Sequence, residues 1–212
     1  EFIRIIDVSR KLFAGMAVWP GDKDFAIRRD LMIEKGHGVN LSHMIMSLHT
    51  GTHVDAPSHI VEGMHSIDTM PLENFIGFVK VFNLNVGCCI KKQDIEHLNI
   101  DKGDSVFFKT RNSYIKDESE FNRNYVYIEH SAAEYLIQKE IKCIGIDYLS
   151  VEKFDSESNE VHHAFTANGI VIIEGLYLKE VEEGKYIYSC IPLPIVGGDG
   201  SPVRAVLIQY KE

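Results

Sequence analysis

The stretch from His49 to His59, HTGTHVDAPSH, places three histidines and an aspartate within eleven residues: His49, His53, Asp55 and His59. Neutral imidazoles and a carboxylate are the ligands that borderline divalent metals such as zinc or manganese take. His49 and His53 are four apart, a spacing that puts two zinc-binding histidines on one helix face in HExxH sites. Here Thr50, Gly51, Thr52, Val54 and Pro57 oppose a helix, so a turn must bring the side chains together. Asp55 lies on the same side as His53 if Val54 is extended. Three such ligands leave coordination positions open for water, the layout of a catalytic rather than a structural metal.

A second signal lies in IVIIEGL, Ile170 to Leu176, where Glu174 follows four apolar residues in an expected buried strand. A carboxylate is rarely buried unless it is paired or bound to a cation. Twelve residues earlier, His162 sits on an expected short helix, and a helix followed by a returning strand can bring the two together. His162 and Glu174 are therefore candidates for a second metal position, with Asp55 able to bridge. Two metals about 3.5–4 Å apart are usual in hydrolytic pairs. Spacing alone does not separate His162 from His163. The other histidines (His37, His43, His65, His97 and His130) are read as surface or satisfied-core residues. Rival chemistries have less support: there is no GxSxG elbow, and no cysteine has a recognisable histidine partner. GGDG, Gly197 to Gly200, lacks the Lys-Ser/Thr and helix of a phosphate loop and reads as a turn.

The elements that must hold these groups follow from hydrophobic period and turn residues. Strands are expected at Ile3 to Val8 (buried), Phe25 to Asp30, Val39 to His49, Phe78 to Val86, Ser105 to Thr110, Ile141 to Asp147, Ile170 to Leu176, Lys185 to Ile191 and Val203 to Tyr210. One or two helical turns are expected near Met70 to Gly77, and short helices over Lys92 to Leu98 and 156–169. The latter stops at Asn168 and Gly169. A further helix is expected to start at Ser131 as N-cap, with Glu134 completing a capping box. Asn112 to Asn124 reads as a loop. VWPGD, Val18 to Asp22, is a turn that presents Trp19, the sole tryptophan, as a pocket wall. The result is an α/β (α+β) reading of one compact domain over residues 1–212, strand-dominated with about three or four helices. Strand sense is not readable from the pattern.

Composition bounds the partners. The 212 residues carry a net charge of −9, with basic residues scattered among acids, which argues against nucleic acid. No run of about 18 apolar residues suggests a membrane span, and no signal peptide is visible. A chain starting at Glu1 leaves open what preceded it. The four cysteines show no CxxC spacing and read as reduced thiols of a cytoplasmic protein.

HTGTHVDAPSH resembles the HxGTHxDxPxH signature of the cyclase family of metal-dependent hydrolases, which includes bacterial kynurenine formamidases and isatin hydrolases. VWPGD, VHHAFTANGIVIIEGL and PLPIVGGDGSPVRAVLI resemble further family segments in the expected order. The resemblance implies a compact α/β fold with a barrel-like mixed centre, assembled as dimers or tetramers. It implies that His49, His53 and Asp55 hold one metal, and that Asp55, His162 and Glu174 hold a second or shape the site around one. His59 would transfer protons, and Trp19 would line the aromatic substrate pocket. Zinc is the first expectation, manganese the alternative. The implied chemistry is hydrolysis of an aryl amide by metal-activated water, first of all N-formylkynurenine, otherwise a cyclic amide such as isatin. A non-catalytic metal or small-molecule binder is disfavoured, because a binder needs no free base.

Overall fold

The computed structural model describes residues 2–211. In chain order its strands are β1 (Phe2–Asp7), β2 (Ala26–Leu31), β3 (Leu41–Ile45), β4 (His53–Asp55), β5 (Ile76–Asn83), β6 (Cys89–Ile90) and β7 (Ser105–Lys109). They continue as β8 (Tyr127–Ile128), β9 (Cys143–Ile146), β10 (Val171–Glu174), β11 (Gly184–Ser189), β12 (Gly200–Pro202) and β13 (Val206–Tyr210). The α-helices are α1 (Lys92–Ile95), α2 (His130–Gln138) and α3 (Glu160–Ala167).

Nine strands form one sheet in the order β1-β13-β11-β5-β7-β9-β10-β4-β12. The centre, β5 through β10, is parallel, and both flanks are antiparallel. The sheet curls until the chain leaving β1 meets the chain leaving β10: Ser9 bridges Leu176, and Tyr177 N–H donates to Val8 O at 2.8 Å. The mixed, barrel-like α/β centre is thus as the family resemblance implies.

Period-two alternation sorts the central strands onto two cores. Phe107, Val79, Val81, Ile173 and Val54 fill the concave side. Val106, Phe108, Ile144 and Ile172 face Ala132, Leu136, Val161 and Phe165 of the helices. Full burial of each large apolar side chain contributes about 1.5–3 kcal/mol, so both faces of the central strands are held firmly. That firmness fixes the ends of β9 and β10, from which the site hangs.

Several expectations shift. β1 is an edge strand, not a buried one: Ile3 and Ile5 are more than half exposed, while Ile6 and Val8 are buried. The Val39–His49 strand is shorter, β3 alone, and its residues are exposed on both faces because it pairs only with β2. The helix at 130 begins one residue before Ser131, and Glu129 is its N-cap, accepting from Ser131 N–H at 3.2 Å. Ser131 lies one residue inside the helix, and its hydroxyl donates to the same Glu129 carboxylate instead of capping the next turn. The turns near 70–77 are 3-10 turns, Ile67–Thr69 and Leu72–Asn74. The helix stop at Asn168 and Gly169 is as expected, with Gly169 at φ 68, but the helix starts only at Glu160 and not at residue 156.

One glycine decides how closely two site segments meet. Gly175, just past β10, has φ 68, and a Cβ there would sit 2.0 Å from the Gly51 carbonyl oxygen and 3.1 Å from Thr52 Cα. Those segments carry Glu174 and His53 respectively. Gly175→Ala is expected to lose about 2–4 kcal/mol of stability through the left-handed backbone and the clash. Denaturant unfolding checks this, and a wild-type midpoint would remove Gly175 from the packing argument.

Candidate metal centre

β4 and β10 lie side by side, with Glu174 paired to His53 in register. Antiparallel pairing puts directly opposed side chains on one face, and Asp55 joins them two residues along. On the other side of β4, β12 pairs Gly200 with Asp55. Gly200 leaves room for the His49 ring, whose Cε1 would lie 2.7 Å from a Cβ there. His162 arrives from α3, the helix that packs before β10. The two carboxylates and three histidines therefore come together from a turn (His49), two strands and a helix.

The histidines share one pattern. Each has one ring nitrogen facing the Asp55–Glu174 carboxylates and the other held by an acceptor outside. His53 Nε2 lies 3.4 Å from Asp55 Oδ1 and 3.2 Å from Glu174 Oε2, while its Nδ1 is 3.1 Å from Gly51 O. His162 Nε2 lies 3.6 Å from Asp55 Oδ2 and 3.3 Å from Glu174 Oε1, while its Nδ1 is 3.3 Å from Glu152 Oε2. His49 Nδ1 is 2.9 Å from Asp55 Oδ1, and its Nε2 is 3.2 Å from Asp199 Oδ2. Metal-binding histidines are held in just this way, the outer acceptor fixing the tautomer and aiming the free nitrogen.

The donor set fits a divalent ion. His53 Nε2 and Asp55 Oδ2 are buried without a hydrogen-bond partner. Their neighbours are near enough for an ion pair, yet not aligned for a hydrogen bond. Two donors each about 2.1 Å from a tetrahedral ion stand about 3.4 Å apart, which matches the 3.2–3.6 Å separations of His53 and His162 from the carboxylates. Among the described residues, two donor groups converge: His53, Asp55 and Glu174, and His49, Asp55 and His59. This grouping joins His53 to Glu174 rather than to His49, and gives His59 a place beside His49.

Electrostatics point the same way. Burial opposes a charge on His53, but Asp55 and Glu174 outweigh it and raise its pKa to about 10. Burial likewise opposes charge on His162, and Glu152 and Glu174 raise it to about 10. Burial would raise Asp55, yet His49 and His53 hold it well below the usual carboxylate range. Glu174 is also lowered, against both burial and Asp55, by His162 and His53. In the metal-free protein, protons on the histidines stand in for cations. His59 differs: burial drives its pKa below the ordinary value, leaving a neutral imidazole. Its side chain is 33% exposed, with Nδ1 3.7 Å from Asp199 Oδ2 and its ring 4.0 Å from that of His49.

His49, His59, His162 and Glu174 open onto a cavity of about 580 Å³ whose lining also includes Trp19, Leu149 and Phe154. Trp19 packs edge-on against Phe121 at 5.2 Å and near Phe154 at 5.5 Å. Of the seven residues singled out from the sequence, Trp19, His49, His59, His162 and Glu174 line this cavity, while His53 and Asp55 are buried in the cluster with them. His163 is exposed and stays outside the cluster, as do the five other histidines. Two acids had no local signal. Glu152 holds His162 from a loop, and Asp199, inside the GGDG read as a plain turn, reaches both His49 and His59.

The loop bearing Glu152 is itself pinned. Val151 N–H donates to Glu174 Oε1 at 2.6 Å, and Tyr125 Oη donates to Glu152 O. At the end of β9, Asp147 accepts four hydrogen bonds from Thr110 and Ser113. Burial nevertheless pushes its pKa up.

A curled mixed sheet with a histidine–carboxylate cluster at the β4–β10 junction defines a metal-dependent hydrolase class of site. Residues 6–153 match the Cyclase family, and the chain belongs to it. It is 37% identical over 208 residues to a kynurenine formamidase of Salinibacter ruber, covering 96% of each chain. It is 34% identical over 203 residues to a kynurenine formamidase of Bacillus cereus, covering 95% of this chain and 96% of that one. A solved structure described as a potential metal-dependent hydrolase with cyclase activity superposes with a TM-score of 0.86. It is 38% identical, with 99% of both chains covered. Isatin hydrolase A from Labrenzia aggregata, 23% identical, shares the fold with a TM-score of 0.85, over 98% of this chain and 94% of that one.

Proposed function

We propose that this protein is a metal-dependent arylformamidase that hydrolyses N-formyl-L-kynurenine to L-kynurenine and formate, a step of tryptophan catabolism. The observation that carries the reading is the three outward-tied histidines aimed at Asp55 and Glu174, at the floor of a cavity with an aromatic wall. Full-length similarity to kynurenine formamidases supports the same substrate. Zinc suits the nitrogen-rich donor set, with manganese as the alternative, and one or two ions can be held by His49, His53, Asp55, His162 and Glu174.

Such an ion acidifies water and polarises a carbonyl, which is the chemistry that amide hydrolysis at neutral pH requires. The chain's own residues do the rest. Trp19 and Phe154 flank the aryl ring and keep bulk water from one side of the cavity. Glu152 and Asp199 hold the rings of His162 and His49. Oxygen from water adds to the formyl carbon, and the carbon–nitrogen bond then breaks. His59, as a neutral imidazole, takes up a proton from the attacking water and returns it to the departing arylamine nitrogen. An anilide leaves poorly without that proton.

The finer assembly and location belong to the same proposal: a cytoplasmic homodimer or homotetramer. The four cysteines are free thiols, which suits a reducing compartment. No helix among the described residues is long and apolar enough to cross a membrane. The β2–β3 hairpin exposes Ile27, Leu41, Met44 and Ile45. A two-stranded hairpin is marginal alone, and an apolar one gains by packing on another subunit.

The test is a rate comparison on N-formylkynurenine, formanilide and isatin, with zinc or manganese added. The proposal expects N-formylkynurenine to be hydrolysed fastest by kcat/KM. Preferential opening of isatin would move the protein to lactam hydrolysis, and no turnover of any would leave a binding protein.

A further inference from the structure

The cavity is larger than a bare aryl formamide needs, and its rim carries a chemical asymmetry. Its floor and rim hold the carboxylates of Glu174, Glu152, Asp22 and Asp155. Against these, apart from the histidines of the metal-side cluster, stands one basic side chain: Lys153 is the only lysine or arginine among the described residues that line the cavity. Its ammonium makes no ion pair or hydrogen bond with any described residue.

The backbone around Lys153 is fixed at both neighbours. Glu152 is fastened to α3 by the Val161 and His162 amides, which donate to its Oε2 at 3.0 and 3.2 Å. The Phe154 ring lies 5.5 Å from Trp19, and the Arg123 guanidinium lies over it at 4.7 Å. Two residues with left-handed backbone, Asp155 (φ 62) and Asn159 (φ 46), then turn the chain toward α3. Lys153 is thus carried on a segment whose flanking residues belong to the metal-side and aromatic walls. Presenting a lysine there costs little extra ordering when a ligand arrives.

From this arrangement, and resting on the arylformamide reading, we infer that Lys153 is a specificity residue that binds the α-carboxylate of an aryl amide bearing an amino-acid side chain. Asp22 and Asp155 at the same rim suit the α-ammonium of that side chain. An aromatic ring against Trp19 and Phe154 places the formyl group toward the metal donors and the amino-acid tail toward solvent. A tail held equally in ground and transition states lowers KM and leaves kcat alone. Lys153 is a binding residue in this scheme and takes no part in proton transfer.

The experiment compares N-formylkynurenine with its decarboxylated counterpart, N-formylkynuramine, in the metal-loaded protein. Wild type should favour the carboxylate-bearing substrate. Lys153→Ala should reduce that preference about fivefold and Lys153→Glu about tenfold or more, through KM, as expected for loss and then reversal of a rim charge. Lys153→Arg should restore most of it. An unaltered preference in Lys153→Glu, or a change carried by kcat, overturns the assignment. If wild type hydrolyses both substrates without preference, Lys153 is a solvated surface lysine and the arylformamidase reading stands. If it hydrolyses neither, that reading falls and this inference with it.

Discussion

Asp55→Asn is expected to strip the protein of tightly held metal and to lower kcat/KM by more than three orders of magnitude. Among the described residues, Asp55 is the one group within reach of all three cluster histidines: His49 at 2.9 Å, His53 at 3.4 Å and His162 at 3.6 Å. Loss of an outer partner of a metal ligand typically costs about 10–100-fold, so removal of the shared carboxylate must cost more. Elemental analysis after gel filtration reads the metal, and the substrate rates read the activity. Because removing one partner from a buried charged cluster also destabilises the fold, by about 3–5 kcal/mol, the folded fraction is measured alongside. Glu174→Gln gives a second check, as it should weaken binding at the His53–Glu174 group. A folded Asp55→Asn protein with full metal content would sink the assignment of this cluster.

The same cluster sets the direction of a pH effect. With pKa values raised to about 10, His53 and His162 carry protons at neutral pH in the metal-free protein. A cation must displace them, so binding releases protons and apparent affinity climbs as pH rises from 6 toward 9. Below that range the protons win and metal is lost. Metal titrations at three pH values read the slope.

Much of this site was legible because its chemistry is crowded into short sequence. His53-x-Asp55 on one side of a strand needs only an extended Val54, and β4 supplies it. Glu174 stood out as a charge in an apolar run, and its burial is compensated as the rule requires, by His53 and His162. What escaped detection depends on long-range pairing. β4 and β12 are three residues each, too short for any period to register, and their union puts Gly200 beside Asp55. Asp199 follows from that union: in sequence it is one acid in a glycine-rich turn, 150 residues from His49. Glu152 sits in a loop with no pattern, and only the arrival of α3 makes it an acceptor for His162. For β3 the alternation was real, but alternation shows that a strand can have two faces and not that either is covered. The parallel sense of β5, β7, β9 and β10 likewise lies in the crossovers and not in any strand's own residues.

His59→Ala separates the two roles its position allows. As proton carrier, His59 should be dispensable for metal and needed for turnover. The variant is then expected to keep its metal and lose about 10²–10⁴ in kcat on N-formylkynurenine. The structure allows it to be neutral, since burial lowers its pKa, and accessible, since a third of its side chain is open. A leaving-group series adds a signature that a structural role would not produce. Formanilides with electron-withdrawing ring substituents expel their nitrogen with less need of a proton, so the defect in His59→Ala should shrink along the series. A uniform loss across the series would remove the proton-transfer role. Loss of metal in His59→Ala would instead make it a ligand, with His49 and Asp55, the group in which its ring nitrogen already stands. His59→Gln refines the decision, because it retains hydrogen bonding without a titratable nitrogen and should be as slow as alanine if the proton is what matters.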